Sequence, residues 1–181
     1  SHDLPKPFHV LATQNPLEQE GTYPLPEAQR DRFLMQIDIT YPEFKDERTM
    51  VLATTAGQED AVKTLFSADR LIDLQDTIRD MPLGDDVLDT ALKLVASLRP
   101  ETGQNNPLKE LIEWGPGPRA SQTLIQTAKA HAFINGRSAP TVEDIAYLAI
   151  PVLKHRMALN LSARAHGRDI DDVITNAVNA L

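Results

Sequence analysis

Cysteine is absent from the 181-residue sequence, aromatic residues are scarce, and negative charge is in excess. Without cysteine, neither a disulfide framework nor a thiolate metal site can form. Hydrophobic residues make up 41% of the chain but aromatic residues only 5%, so we expect a core built mainly from leucine, isoleucine, valine and alanine. A formal charge of −8 argues against broad nucleic-acid binding, which requires clustered lysine and arginine.

Long apolar runs are also missing. A membrane-spanning helix needs roughly 18 consecutive apolar residues, and no stretch of the sequence approaches that length, so no membrane span is predicted. The opening residues, Ser1 to Pro7, lack the basic and apolar regions of a secretory signal. We therefore expect a cytoplasmic protein with one domain, or with one domain and a piece of another.

The first 42 residues have the pattern of an α/β unit. The apolar run from Phe8 to Thr13 predicts a buried strand, and residues 34–40 predict a second one. Between them, Pro26 precedes a short helix that begins at Glu27, where proline and an acidic residue are both favoured. Because two strands alone do not form a stable sheet, this unit is predicted to be incomplete.

From residue 43 onwards the pattern is helical. Predicted helices cover residues 44–56, 68–79, 85–98, 119–134, 141–150 and 170–180. Thr141 and Asp144 have the spacing of a capping box. Pro151 is expected to break or restart the helix that this box begins. The predicted fold class is therefore mainly α, with a small α/β piece followed by an all-helical region.

Asn15 directly follows the first predicted strand. Ligands of open α/β sheets bind beyond the carboxyl ends of the strands. An amide there can hold a water molecule or a phosphate oxygen without adding charge. Asn-Pro is also a common turn dipeptide, so a plain turn is the alternative interpretation of these two residues.

The stretch Arg30-Asp31-Arg32-Phe33 carries two guanidinium groups close together. Arginine is always charged, and its fork of donors suits phosphate. An arginine that reaches the γ-phosphate held by a neighbouring subunit stabilises the charge of phosphoryl transfer. The alternative is a solvated helix end with a local Asp–Arg pair, which contributes little to stability.

Arg119 follows the turn Gly115-Pro-Gly-Pro and lies in the first turn of a long predicted helix. A positive side chain there opposes the helix dipole, which favours anions at that end. A helix N-terminus with an arginine is suited to binding phosphate, so Arg119 is a candidate ligand of a nucleotide. A surface arginine at a loop-to-helix junction is the alternative.

The remaining candidates carry weaker signals. The five histidines are scattered and show no metal-ligand spacing, so no metal site is predicted from these residues. The cluster Lys154-His155-Arg156 is interpreted as the surface of a helix, with a contact role as the alternative, and Trp114 as a packing residue.

Several segments resemble the MoxR family of AAA+ ATPases. The longest and most specific are Val10 to Pro16, Glu18 to Gln29 and Asp31-Arg32-Phe33. Shorter segments at 117–120, 142–145 and 151–156 fit the lid domain of that family and occur in the same order. The resemblance spans essentially the whole chain.

The resemblance implies a role for each candidate residue. Asn15 would be sensor 1, which helps to position the attacking water near the γ-phosphate. Arg32 would be the arginine finger, acting on ATP held by the neighbouring subunit, with Arg30 as the second candidate because its position is often apolar in the family. Arg119 would be sensor 2, reaching the same nucleotide from the lid.

The resemblance to the family also implies a domain organisation and an activity. Residues 1–42 would be the C-terminal part of the AAA+ core, with the sensor 1 strand, the arginine-finger helix and the last strand, and residues 43–181 the helical lid domain. Family members hydrolyse ATP with Mg²⁺ and couple this to chaperone-like remodelling or maturation of protein complexes. They form hexameric rings, act on protein clients, and often work with a protein that bears a von Willebrand factor A domain.

The largest departure of the sequence from the family is the absence of two motifs. The sequence contains neither the Gly-x-x-x-x-Gly-Lys-Ser/Thr loop that holds phosphates nor the apolar strand ending in Asp-Glu that would hold Mg²⁺. These 181 residues alone are therefore predicted not to hydrolyse ATP and not to bind it tightly. Two alternatives stay open: a helical protein-interaction module without nucleotide chemistry, and a related AAA+ nucleic-acid remodeller, against which the acidic composition speaks.

Overall fold

Eight α-helices and two short strands are present in the part of the chain that the computed structural model describes, residues 3–14, 25–56, 63–101 and 107–181. In chain order they are α1 (Glu27–Arg30), α2 (Phe44–Thr55), α3 (Ala68–Asp80), α4 (Asp85–Ser97), β1 (Ile112–Trp114), α5 (Pro118–Ile134), α6 (Val142–Leu153), β2 (Ala158–Leu159), α7 (Leu161–Ala165) and α8 (Ile170–Asn179). Short 3₁₀ segments, Pro107–Leu111 and Lys154–Arg156, precede β1 and follow α6. The mainly helical class is confirmed.

Helices α4, α5, α6 and α8 enclose the hydrophobic core. On α4 the buried residues recur at helical spacing, as expected for an amphipathic helix: Val87, Ala91, Leu94 and Val95. Helix α5 packs against both α4 and α6, and α6 packs against α8. The buried face of α5 includes several alanines, which allow its neighbours to approach closely.

The capping box at the start of α6 forms as predicted. The Thr141 backbone N–H donates to Asp144 Oδ2 at 2.7 Å, and Arg137 donates to both carboxylate oxygens at 2.7 and 2.6 Å. The guanidinium of Arg137 holds the pKa of the buried Asp144 well below its usual range. These bonds hold the turn between α5 and α6, and His131 on α5 contacts Asp144 Oδ1 at 2.6 Å, so the two helices are joined.

The predicted break at Pro151 is wrong, because α6 continues through this residue to Leu153. Proline lacks the N–H that would donate to the carbonyl of Tyr147, one turn earlier. The Tyr147 side chain is 70% exposed, so water can reach this side of the helix. The residues that follow, Val152 and Leu153, are fully buried, and their packing outweighs the loss of one hydrogen bond.

The two strands lie elsewhere than predicted. Antiparallel β1 and β2 pair Ile112 with Leu159 and Trp114 with Ala158, so the helical region also contains a small ribbon that the sequence did not reveal. Residues 8–13 and 34–40 carry no strand, and apolar side chains there remain in water, including Leu11 at 97% and Ile39 at 91% exposure. An extended segment needs backbone partners to form a ladder, and these two have no neighbouring strand in the described part of the chain.

None of the helices in the described ranges combines the length and the apolar composition needed to cross a membrane. The predicted division of the chain at residue 42 stays a prediction. Helix α2, just beyond it, has no buried residue.

Candidate functional site

The predicted site residues fall in three different places. Arg32 follows α1 and has an exposed side chain, whereas Arg119 lies in the first turn of α5. The side chain of Arg30 lies over the ring of Trp114, with 5.5 Å between Cζ and the ring centroid. Asn15 lies outside the described residues.

Asp31 connects residues 27–38, called the α1 segment from here on, to the helical region. Its Oδ2 accepts a hydrogen bond from Arg119 Nη1 at 2.6 Å, and its Oδ1 faces Arg156 Nε at 3.2 Å, an ion pair outside hydrogen-bond geometry. The side chain of Arg119 is 49% exposed, whereas that of Arg156 is 1% exposed. The anion that Arg119 requires at the N-terminus of α5 is therefore supplied by the chain itself.

The Lys154-His155-Arg156 cluster is not a helix surface, and this interpretation was wrong. His155 is 4% and Arg156 is 1% exposed. Both contact the α1 segment, since His155 Nε2 donates to the Phe33 carbonyl at 3.0 Å and Arg156 Nη2 donates to the same oxygen at 2.6 Å. Lys154 Nζ pairs with Asp38, and with Asp171 at 3.1 Å.

The C-terminus of α6 explains why the two cations Lys154 and Arg156 and the imidazole of His155 gather there. The last carbonyls of a helix lack intrahelical partners and carry partial negative charge. The Pro151 carbonyl accepts from the Gln36 backbone N–H at 2.8 Å, and the Val152 carbonyl accepts from Arg156 Nη1 at 2.9 Å. The segment 31–38 therefore caps this helix end while the cations hold it in place.

A shallow cavity of about 190 Å³ lies beside this ion pair. Its walls come from α1, from the turn before α5 and from the end of α6: Glu27, Ala28, Asp31, Trp114, Gly115, Gly117 and Arg156. The cavity therefore brings the predicted finger segment, the predicted phosphate-binding turn and Arg156 together at one place.

Two family comparisons cover most of these elements. Residues 108–177 match the family described as AAA lid domain, and residues 1–35 match the ATPase family associated with various cellular activities, AAA. Chaperone MoxR1 of Mycobacterium tuberculosis is 37% identical over 90% of this chain and 43% of its own length. The chain belongs to the MoxR-type AAA+ ATPases.

Further relatives agree with this assignment. The protein YeaC of Bacillus subtilis is 32% identical over 98% of this chain and 53% of its own length. Among solved structures, a protein of Cytophaga hutchinsonii described as a candidate ATPase has a TM-score of 0.89 and 33% identity, covering 99% of this chain and 55% of that one. The MoxR-type chain thus spans about half the length of the relatives it matches.

In this MoxR-type chain, Gly115 is required by a close approach of two backbones. A Cβ at this position would lie 2.2 Å from the Leu98 carbonyl oxygen and 2.9 Å from Arg99 Cα. The contact is reinforced by Arg99, whose Nε donates to the Pro116 carbonyl at 2.8 Å. The turn that leads into Arg119 is therefore fixed against the end of α4.

Gly115→Ala should lower the free energy of unfolding by about 1–3 kcal/mol or more, because backbone atoms cannot move aside as a side chain can. Gly117→Ala is the matched control, since a Cβ there meets nothing within 4 Å. Urea denaturation of both variants would check this. Equal stability of the two would contradict the close approach at Gly115.

His155 makes docking of the α1 segment sensitive to acid. Burial lowers the pKa of His155 below its usual 6.5; Arg156 and Arg30 add to this, whereas Asp31 and the Phe33 carbonyl oppose it. The unfolded chain therefore binds a proton near pH 6.5 that the folded chain does not bind, and stability falls as the pH drops below that value.

We expect the free energy of unfolding of the wild-type chain to decrease between pH 7.5 and 5.5 more steeply than that of His155→Gln. Glutamine can donate to the Phe33 carbonyl but does not titrate in this range. Urea denaturation at both pH values measures the difference, in which the contributions of the other histidines cancel. Parallel pH profiles of the two chains would show that His155 does not carry this effect.

The sequence assigned no role to Asp31, and for His155 and Arg156 it gave a contact role only as the alternative to a helix surface. A local signal was present, because cations at a helix C-terminus are favoured by the dipole, and Lys154-His155-Arg156 follows the apolar run of α6. Nothing local indicated that these side chains would turn inwards. Among the described residues, no group of three or more histidine, aspartate or glutamate side chains could hold a metal ion.

Proposed function

We propose that this chain supplies the arginine finger and the lid of an ATP-hydrolysing ring. The observation that supports this proposal is the ion pair between Arg119 Nη1 and Asp31 Oδ2 at 2.6 Å. It brings the lid arginine to the segment that bears Arg32. In a protein that also contains the phosphate-binding loop, Arg119 would contact the nucleotide of its own subunit. Arg32 would extend to the nucleotide of the next subunit.

The residues fit a polyphosphate in part. Arg119 and Arg32 offer exposed guanidinium donors, which suit anionic oxygens. Arg30 suits the finger role less well, because its side chain lies on Trp114 of the same chain. No carboxylate cluster in the described ranges suits Mg²⁺, so any metal bound with ATP would be held by residues other than these.

The reaction is attack of water on the γ-phosphorus and cleavage of its bond to the β-phosphate oxygen. Charge spreads over the γ-phosphoryl oxygens in the transition state, so catalysis consists mainly of positioning and electrostatic stabilisation. Arg32 would supply positive charge across the subunit boundary. Asn15 would orient the attacking water as sensor 1, and Arg119 would hold the phosphates as sensor 2 while the lid closes.

A finger that acts across a subunit boundary requires an oligomer, and we propose a hexameric ring. ATP turnover in this ring would drive chaperone-like remodelling or maturation of protein complexes, with protein clients and a partner that bears a von Willebrand factor A domain. The chaperone name of the mycobacterial relative supports this direction.

Measurements of ATP binding by calorimetry and of phosphate release, each on two proteins, test the proposal. The 181-residue chain lacks the Gly-x-x-x-x-Gly-Lys-Ser/Thr loop, so we expect no tight ATP binding and no phosphate release. A full-length protein that contains both this chain and the loop should bind ATP and release phosphate. Micromolar ATP binding by the 181-residue chain, or no turnover by the full-length protein, would contradict the proposal.

A further inference from the structure

The segment that carries Arg32 is attached to the lid on both sides of that residue. Arg156 Nη2 donates to the Phe33 carbonyl at 2.6 Å and to the Asp31 carbonyl at 3.3 Å. His155 Nε2 donates to the same Phe33 carbonyl at 3.0 Å. The two backbone carbonyls that flank Arg32 are thus held, while the side chain of Arg32 stays exposed.

Arg156 is itself held firmly. It is 1% exposed, and its Nη1 donates to the Val152 carbonyl at 2.9 Å, near the end of α6. A planar guanidinium that is buried and contacted through all three nitrogens has little freedom to reorient. The backbone position of Arg32 therefore follows the position of α6.

The Asp31 carboxylate extends this connection to the lid arginine. One of its oxygens binds Arg119 at 2.6 Å and the other faces Arg156 at 3.2 Å. Arg119 is 49% exposed and uses only Nη1 in this contact, so it remains accessible to a ligand. A phosphate oxygen and the Asp31 carboxylate would compete for this guanidinium, because both are anionic acceptors.

We propose that Asp31 is a positioning residue that couples Arg119 to Arg32. Through Asp31, the contact of Arg119 with the nucleotide of its own subunit also determines the position of Arg32, which reaches the neighbouring subunit. This inference rests on the roles proposed above for Arg32 and Arg119. When a phosphate draws Arg119 away, Arg156 is the one cationic partner that Asp31 keeps among the described residues. Occupancy of one ATP site thereby changes the finger that reaches the next site.

Asp31→Asn tests the coupling, since it keeps the size of the side chain and removes its charge. In full-length rings we expect kcat to fall by about tenfold or more, because a misplacement of about 1 Å can lower a rate by about 10²-fold. We expect KM for ATP to fall at the same time, because Arg119 no longer has a charged competitor. Loss of folded protein alone would lower kcat without lowering KM. Asp31→Glu, which restores the charge, should recover part of the loss.

Mixed rings separate this inference from the finger role itself. Receiving subunits carry Arg32→Ala, and donating subunits keep Arg32 but bind ATP without hydrolysing it, through a substitution in the ATP-binding part of the protein. Turnover then arises only where a donating Arg32 faces a receiving site. Asp31→Asn in the donating subunits should lower this turnover by about tenfold or more, because Arg32 is then misplaced. Asp89→Asn, an equal charge change on the exposed face of α4, should not.

The outcomes of this experiment are distinct. If donating subunits with Arg32→Ala still support turnover, the proposed finger role fails. If they do not, but Asp31→Asn donors work as well as unaltered ones, the coupling alone is overturned.

Trp114 gives a readout that does not depend on activity. It is the sole tryptophan of the sequence, it lines the cavity beside Asp31, and its ring is in contact with the Arg30 side chain. If Asp31 holds the segment in place, Asp31→Asn in the 181-residue chain should raise the acrylamide quenching constant of Trp114 fluorescence, whereas Asp89→Asn should not. Equal quenching in wild type and Asp31→Asn would overturn the positioning role.

Discussion

Arg32→Ala in the full-length protein should abolish most ATP turnover while leaving ATP binding largely intact. A finger arginine is worth roughly 10³–10⁵ in rate, because its charge opposes the charge that develops on the transferred phosphoryl group. In the proposed ring, ATP binding would depend on the binding loop and the lid of the same subunit and not on Arg32. Steady-state phosphate release and calorimetric titration with ATP, on the same preparation, measure the two effects separately.

The matched control is Arg30→Ala, two residues away on the same segment. Arg30 lies over Trp114, so its loss should weaken local packing but leave most of the turnover. A large loss of turnover in Arg30→Ala with normal turnover in Arg32→Ala would identify Arg30 as the finger. Wild-type turnover in both variants would remove the finger role from this segment.

Arg119→Ala should weaken ATP binding by about 10–100-fold, which corresponds to the loss of a hydrogen bond to a charged group. The variant should fold normally, because the pair with Asp31 is partly exposed and such pairs contribute only about 0.2–1 kcal/mol. Calorimetric titration of the full-length protein with ATP gives the affinity, and urea denaturation gives the stability.

Arg168→Ala is the comparison for this effect. Arg168 is exposed in the turn before α8, and its replacement by alanine removes the same positive charge. ATP affinity in Arg168→Ala should match that of the wild type. If Arg119→Ala also bound and hydrolysed ATP normally, Arg119 would be an ordinary surface residue paired with Asp31.

Much of the helical architecture could be predicted from local sequence. Apolar residues at helical spacing predicted α4, and the capping residues Thr141 and Asp144 predicted the start of α6. Both signals come from residues that are close together in sequence. The break expected at Pro151 failed because the buried residues after it, Val152 and Leu153, keep the helix in the core. The strands expected at 8–13 and 34–40 failed because a strand depends on partners that local sequence does not specify.

The candidate site was predictable only in part. Arg32 and Arg119 were selected because the chemistry of arginine and the family resemblance point to phosphate. The sequence places Asp31 in a local pair and in a family motif without giving it a role, and it favours a surface position for Arg156. In the structure, both occupy the centre of the contact between the α1 segment and the lid.

The sequence by itself determined the family and the helical segments of this chain, because motifs, periodicity and helix ends are local properties. Only the tertiary structure decided which charges meet. Asp31 lies 88 residues from Arg119 and 125 from Arg156 in sequence, yet it contacts both. The reason is physical: the carbonyls at the end of α6 and the buried guanidinium of Arg156 need partners, and the packed core brings the segment 31–38 to them.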